Sequence, residues 1–181
     1  MPHDCERINI PNMRKTLEIM ASDPSLVNMG SWVNNLASCG TTACMAGHAA
    51  VLVGEWCMTT SGANDVMVDG KRRPIDLVGA EVLGLSGTLA DAFFLRTSRL
   101  NGRDAVAVLY RMAELVTNGE IAMPIEFEAD YKKINSEMRA DDIAQHYLYD
   151  IPLPVRTSND DPYYCVHCGV SPCAHLTEDC G

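Results

Sequence analysis

Cysteine and histidine are the residues in this sequence whose types and spacing could do chemistry, and they fall in two groups. One is Cys39-Gly-Thr-Thr-Ala-Cys44-Met-Ala-Gly-His48, with Cys57 further along. The other lies near the end of the sequence and holds Cys165, Cys168, Cys173, His175 and Cys180. Thiolates and imidazoles bind zinc, and a thiolate beside an imidazole base is a nucleophile. Neither group names a reaction, so the chemistry has to be weighed against ordinary packing.

In the second group Cys165, Cys168, His175 and Cys180 give the spacing C-x2-C-x6-H-x4-C. This resembles a zinc knuckle with two extra residues in its middle loop. Cys173 can replace His175, so any four of the five complete a tetrahedral set. A short segment without a core of its own is folded by such a metal. Zinc is the expected cofactor, with a structural or protein-binding role. Residues 157–181 contain no Lys or Arg, so phosphate neutralisation there is weak and nucleic acid is disfavoured.

The first group has three readings. Cys44 and His48 are four residues apart and share a face on a helix. Cys39 precedes that helix, where backbone N–H groups favour a thiolate. Cys39, Cys44, His48 and Cys57 could hold a second metal, or Cys39 or Cys44 could attack with His48 as base. The third reading is packing. Free Cys behaves as a small hydrophobe, and Ala43, Ala46, Gly47, Ala49 and Ala50 make a core-type helix. The packing reading fits these neighbours best, and no catalytic residue is assigned.

The elements that must position these residues read mostly as helices. Met13, Leu17 and Met20 form one apolar face after Pro11, ended by Asp23-Pro24. The segment 24–38 is polar and turn-like. A helix is expected from Thr41 or Thr42 to Val53, with Gly54 as its C-cap. Residues 57–73 read as a loop or short hairpin turning at Asp69-Gly70. Pro74 opens a helix to Leu83, and 88–95 forms a short one. The stripe Val106, Leu109, Tyr110, Ala113, Val116 marks a helix over 103–117, capped by Asn118-Gly119. An acidic helix follows over 128–148, then an extended linker at Ile151–Pro154. The expected architecture is mainly α: a helical domain over 8–120, an acidic helical extension over 121–150, and a linker with a zinc-binding tail over 151–181.

Charge sharpens the functional classes. Residues 1–113 hold 11 acids and 10 bases, whereas residues 114–181 hold 13 acids and 4 bases. The acidic third suits solubility or a basic partner protein and repels nucleic acid. No secretory signal is read at Met1–Arg7, and the apolar run Ala43–Gly54 is too short to span a bilayer. A reducing cytoplasm is therefore expected, where clustered Cys points to metal or free thiols. Ala80–Thr88 has the entry pattern of a helix-turn-helix, which makes a DNA-binding regulator over 78–103 an alternative. Its following helix, Leu89 to Leu95, is core-like where polar residues should face a groove.

Met29-Gly-Ser-Trp32 followed by Cys39-Gly-Thr-Thr-Ala-Cys44-Met-Ala-Gly-His48-Ala resembles a motif of uncharacterised small proteins from actinobacteria and their bacteriophages. Leu83-Gly-Leu85, Phe93-Phe94 and the Asp104–Gly119 helix are similar to the second half of those proteins. The likeness spans about 8–120 and implies a phage or bacterial origin and a shared fold, without a mechanism. The resulting expectation is a non-enzymatic cytoplasmic protein that binds a protein partner. The alternatives are a metal- or thiol-dependent enzyme at Cys39, Cys44 and His48, and the DNA-binding regulator.

Overall fold

The computed structural model describes residues 8–31, 33–36, 40–58, 64–134, 142–151 and 153. Helix α1 spans Ile10–Ser22, and a single 3-10 turn follows at Pro24–Leu26. Strands β1 (Val33–Leu36) and β2 (Gly40–Ala43) pair antiparallel, with Val33 opposite Ala43. Helix α2 is Met45–Ala50. Strands β3 (Glu55–Met58), β4 (Asn64–Val68) and β5 (Lys71–Pro74) form a second antiparallel sheet in that order. Helix α3 (Ile75–Leu83), α4 (Gly87–Ala90) and a π-helical segment (Asp91–Arg96) lead to α5 (Gly102–Val116). Helices α6 (Ile125–Lys133) and α7 (Asp142–Tyr147) complete the described chain.

The expectation of a mainly α fold is thus corrected to a mixed fold, with a three-stranded antiparallel sheet beside the helices. The sheets are built from four- and five-residue strands, and apolar runs that short do not reveal their period. The start of α2 moves for a related reason. Thr41 and Thr42 were the expected N-cap, but they lie in β2 opposite Asn35 and Asn34. β-Branched Thr favours a pleated strand over a helix interior. Cys44 takes the extended N-cap conformation, and the helix closes at Ala50.

Other local signals produce the expected elements. Asp69 and Gly70 both have positive φ, 52° and 75°, as a two-residue type I′ turn requires. They join Val68 to Lys71 in the β4–β5 ladder. Pro74 precedes α3, and Gly84 ends it in the left-handed conformation with Leu85 N–H donating to Ala80 O at 2.9 Å, a Schellman-type stop. Asn118 and Gly119 end α5, where Gly119 N–H donates to Glu114 O at 2.8 Å.

The core lies between α1, α2, α3 and α5. Met13, Leu17 and Met20 of α1 meet Val106, Leu109 and Met112 of α5 in one buried cluster that also includes every residue of α2 except Gly47 and His48. Helices α2 and α3 cross closely. A Cβ placed on Gly79 would stand 2.8 Å from both Cα and O of Ala46, so a larger residue there would force the helices apart.

The acidic segment expected as one helix over 128–148 contains α6 and α7, with 135–141 outside the described residues. Both helices pack on α5 through Phe127, Tyr131, Ile143, Ala144 and Leu148, which belong to the same buried cluster. Tyr131 Oη accepts from Ala144 N–H at 3.0 Å and links the two helices. Arg103 of α5 donates to Asp130 at 2.9 Å and Glu126 O at 2.9 Å while its guanidinium covers the Phe127 ring. Ile151, expected in an extended linker, is buried against this cluster.

Candidate functional site

The central motif is built by the junction of β2 and α2. Cys44 N–H donates to Ser31 O at 2.9 Å, and Cys44 O accepts from His48 N–H at 3.0 Å. These bonds fix both residues in the turn that changes strand into helix. The Cys44 side chain is wholly buried. Burial pushes its thiol up to about 11, against the pull of the Gly47 and Ala46 backbone N–H groups, and the charge of Asp76 adds to the rise. A thiol so placed remains protonated through the physiological range and is a poor nucleophile.

His48 is 5% exposed. Its Nε2 lies 3.4 Å from Leu26 O, and its ring meets Trp56 edge-on with centroids 6.4 Å apart. Burial lowers its pKa, while the Leu26 and Ala43 carbonyls oppose that shift. The imidazole therefore rests neutral between the 3-10 turn, β2 and Trp56. Trp56 Nε1 donates to Gly47 O at 3.0 Å and ties β3 to α2. Cys44 stands at the extended N-cap of α2 and His48 one turn into the helix, and both side chains are buried in the core.

Cys57 is half-buried on β3. Among the described residues no three His, Cys, Asp or Glu side chains converge as a metal site. The expected zinc-binding character is corrected accordingly, because Cys44 and His48 are held by packing and backbone hydrogen bonds and Cys57 does not join them. Cys39 lies outside the described residues, as do Cys165, Cys168, Cys173, His175 and Cys180.

The helix-turn-helix pattern does form a bent helix pair. Ile75–Leu83 and Gly87–Arg96 meet at 112°, with Ser86 Oγ accepting from Leu89 N–H at 3.3 Å. Leu89, Ala92, Phe93 and Phe94 are buried. The exposed side of the second helix shows Gly87, Thr88, Asp91 and Leu95, with no cation. Arg96 at its end donates to Tyr147 O and Tyr149 O and lies over the Tyr149 ring. Arg73 pairs with Glu81 at 2.6 Å. Arg73 and Arg96 are thus engaged in this fold's own contacts, and the exposed side of the second helix offers no base to a groove. Among the described residues no single helix is long and apolar enough to cross a membrane.

A different feature emerges on the other side of α1. An open cleft of about 460 Å³ is lined by Arg14 and Glu18 of α1, Tyr110 of α5, Ile121 and Pro124 from the connection into α6, and Glu126 in the first turn of α6. Arg14 and Glu18 are one helical turn apart, yet Arg14 reaches across to donate to Glu120 O at 2.8 Å. Tyr110 is 4% exposed and stacks on Phe127 with centroids 5.9 Å apart. Its hydroxyl makes no hydrogen bond to any described residue. Burial, reinforced by the charges of Glu18 and Glu126, pushes that hydroxyl up to about 12. The cleft therefore gathers a neutral phenol, two carboxylates and one guanidinium above an apolar wall.

This chain matches no known protein-family profile, no curated protein and no solved structure. Function therefore rests on the site geometry. Sequence reasoning placed Tyr110 on the apolar stripe of its helix and did not single out Arg14, Glu18 or Glu126. The Arg14–Glu18 spacing is visible in the sequence, but it reads as a solvated helix pair. Only the fold brings residue 126 beside residue 18.

Proposed function

We propose that this chain is a non-enzymatic cytoplasmic protein, encoded by a phage or its bacterial host, that acts by binding a protein partner. The observation that carries this reading is the burial of Cys44 and His48. A thiol raised to about 11 by burial and a neutral imidazole packed beneath Trp56 are arranged for packing, which weakens the case for thiol or metal catalysis at this motif. The partner's chemistry follows from charge. Residues 114–181 carry a net charge of −9, so a basic protein surface is the complementary match. The resemblance of the Cys39–His48 motif to phage and actinobacterial proteins supports the assigned origin.

The test is affinity capture from bacterial lysate with the full chain and with a version ending at Pro154. A basic protein retained by the full chain is expected, with binding that weakens at least ~10-fold when salt rises from about 50 to 300 mM. Recovery of no partner by either version, or capture indifferent to salt, would contradict the proposal.

A further inference from the structure

We propose that the cleft between α1, α5 and α6 is a binding site for a small aliphatic amino acid, with its ammonium group held by Glu18, Glu126 and Tyr110 Oη and its carboxylate by Arg14. This site is separate from the protein-partner reading and does not depend on it.

Tyr110 is the buried polar side chain among those lining the cleft. Buried hydroxyls are almost always hydrogen-bonded, yet Tyr110, 4% exposed and lining the cleft, makes no side-chain hydrogen bond among the described residues. The packing of its ring is fully accounted for by Phe127 and the core, so its hydroxyl is the feature left for a ligand to use. That hydroxyl remains protonated and can both donate and accept one hydrogen bond.

The charges then select the ligand. Glu18 and Glu126 come from separate helices, and neither side chain forms an ion pair within 4 Å among the described residues. Both raise the Tyr110 pKa, so both fields converge on the same hydroxyl. An ammonium group satisfies two carboxylates and a phenolic oxygen together, because it offers three donors and no acceptor. An anion would meet two negative charges. A bare amine, however, would leave Arg14 opposed to it. Arg14 is anchored at Glu120 O, and a guanidinium has further N–H donors to give. A carboxylate on the same ligand uses them and removes the repulsion. The remaining wall, Ile121, Ala122 and Pro124, suits an aliphatic side chain, and the volume of about 460 Å³ is within the range of small-molecule sites.

Glu18, Glu126 and Arg14 face solvent, so screening keeps binding modest. A dissociation constant on the order of 1 mM is expected. The experiment is a titration of the full-length protein with glycine, L-leucine and L-lysine, followed by NMR shifts of the Tyr110, Ile121 and Ala122 signals. Saturable shifts with L-leucine are expected at those three residues. N-Acetyl-L-leucine, which lacks the ammonium, and L-leucinamide, which lacks the carboxylate, should each bind at least ~10-fold more weakly, in line with the loss of a charged hydrogen-bonding group. Tyr110→Phe keeps the ring and should weaken L-leucine ~5-fold or more, and Glu18→Gln should do the same on an exposed helix face. Three results would overturn the assignment: no saturable shift with any of the three amino acids up to ~10 mM, equal binding of the acetylated or amidated compound, or shifts unchanged by both substitutions.

Discussion

Gly79→Ala perturbs the seam that holds the central motif in place. In α3 the added Cβ would stand 2.8 Å from Cα and O of Ala46 and 3.0 Å from its Cβ. Ordinary contact for such a pair begins near 3.4 Å, so α2 or α3 must move by about 0.6 Å or more. The obstacle is mainly backbone and cannot rotate away. Helix propensity alone would favour Ala over Gly by about 1 kcal/mol. Overpacking in a tight core costs about 1–3 kcal/mol, and a contact on two backbone atoms belongs at the upper end of that range. The net expectation is destabilisation by about 1–2 kcal/mol, read as a lower urea midpoint with an unchanged slope. Gly87→Ala is the control. Nothing lies within 4 Å of its Cβ position, so the change should be neutral or slightly stabilising. If Gly79→Ala proves as stable as the parent, the α2–α3 crossing is looser than described, and the buried state assigned to Cys44 and His48 loses its support.

Two further perturbations follow from the same packing. The pKa of His48 is lowered by burial, so the unfolded chain takes up its proton first as pH falls below the ordinary imidazole value of about 6.5. Stability is then present above that pH and declines below it. His48→Gln should flatten this part of the profile in urea titrations at about pH 5.5 and 7.5, whereas an unchanged profile would mean that His48 is not buried neutral. Tyr131→Phe removes the acceptor for the Ala144 N–H and should cost about 1 kcal/mol, with faster amide exchange confined to α7. Exchange at Ala144 equal to that of the parent would show that this hydrogen bond does not anchor the helix.

Much of the helical framework is legible in the sequence because its ends carry strong local chemistry. Asp69-Gly70 fixes a hairpin turn, Pro74 and Gly84 bound α3, and Asn118-Gly119 stops α5. Strands β1, β2 and β3 are not legible. Each has only four residues, and their pairing partners supply the stability that their own composition does not. Gly40–Ala43 shows the conflict best, since Thr-Thr before an Ala-rich run matches a helix N-terminus locally and a strand in context. Burial of Cys44 and His48 is foreshadowed by the small residues around them. The contacts that hold them become visible only when Leu26, Ser31 and Trp56 close over the junction. The α1–α5–α6 cleft has no local signal, because Glu18 and Glu126 converge only through the packing of α1 and α6 against α5.

The central claim is that the Cys44–His48 motif is packing and not chemistry, and labelling of Cys44 by iodoacetamide tests it most directly. The full chain would be treated under reducing conditions at about pH 8, with and without urea, and the peptide containing Cys44 followed by mass spectrometry. With its pKa near 11 against a reference of 9.0, the folded thiolate fraction is about 100-fold below that of an exposed thiol at this pH. Burial lowers reactivity further. Cys44 should therefore remain unlabelled while the protein is folded and react promptly once urea unfolds it. Rapid labelling of Cys44 in the native protein, at or above the rate of a free thiol, would contradict the account and restore the motif as a reactive site.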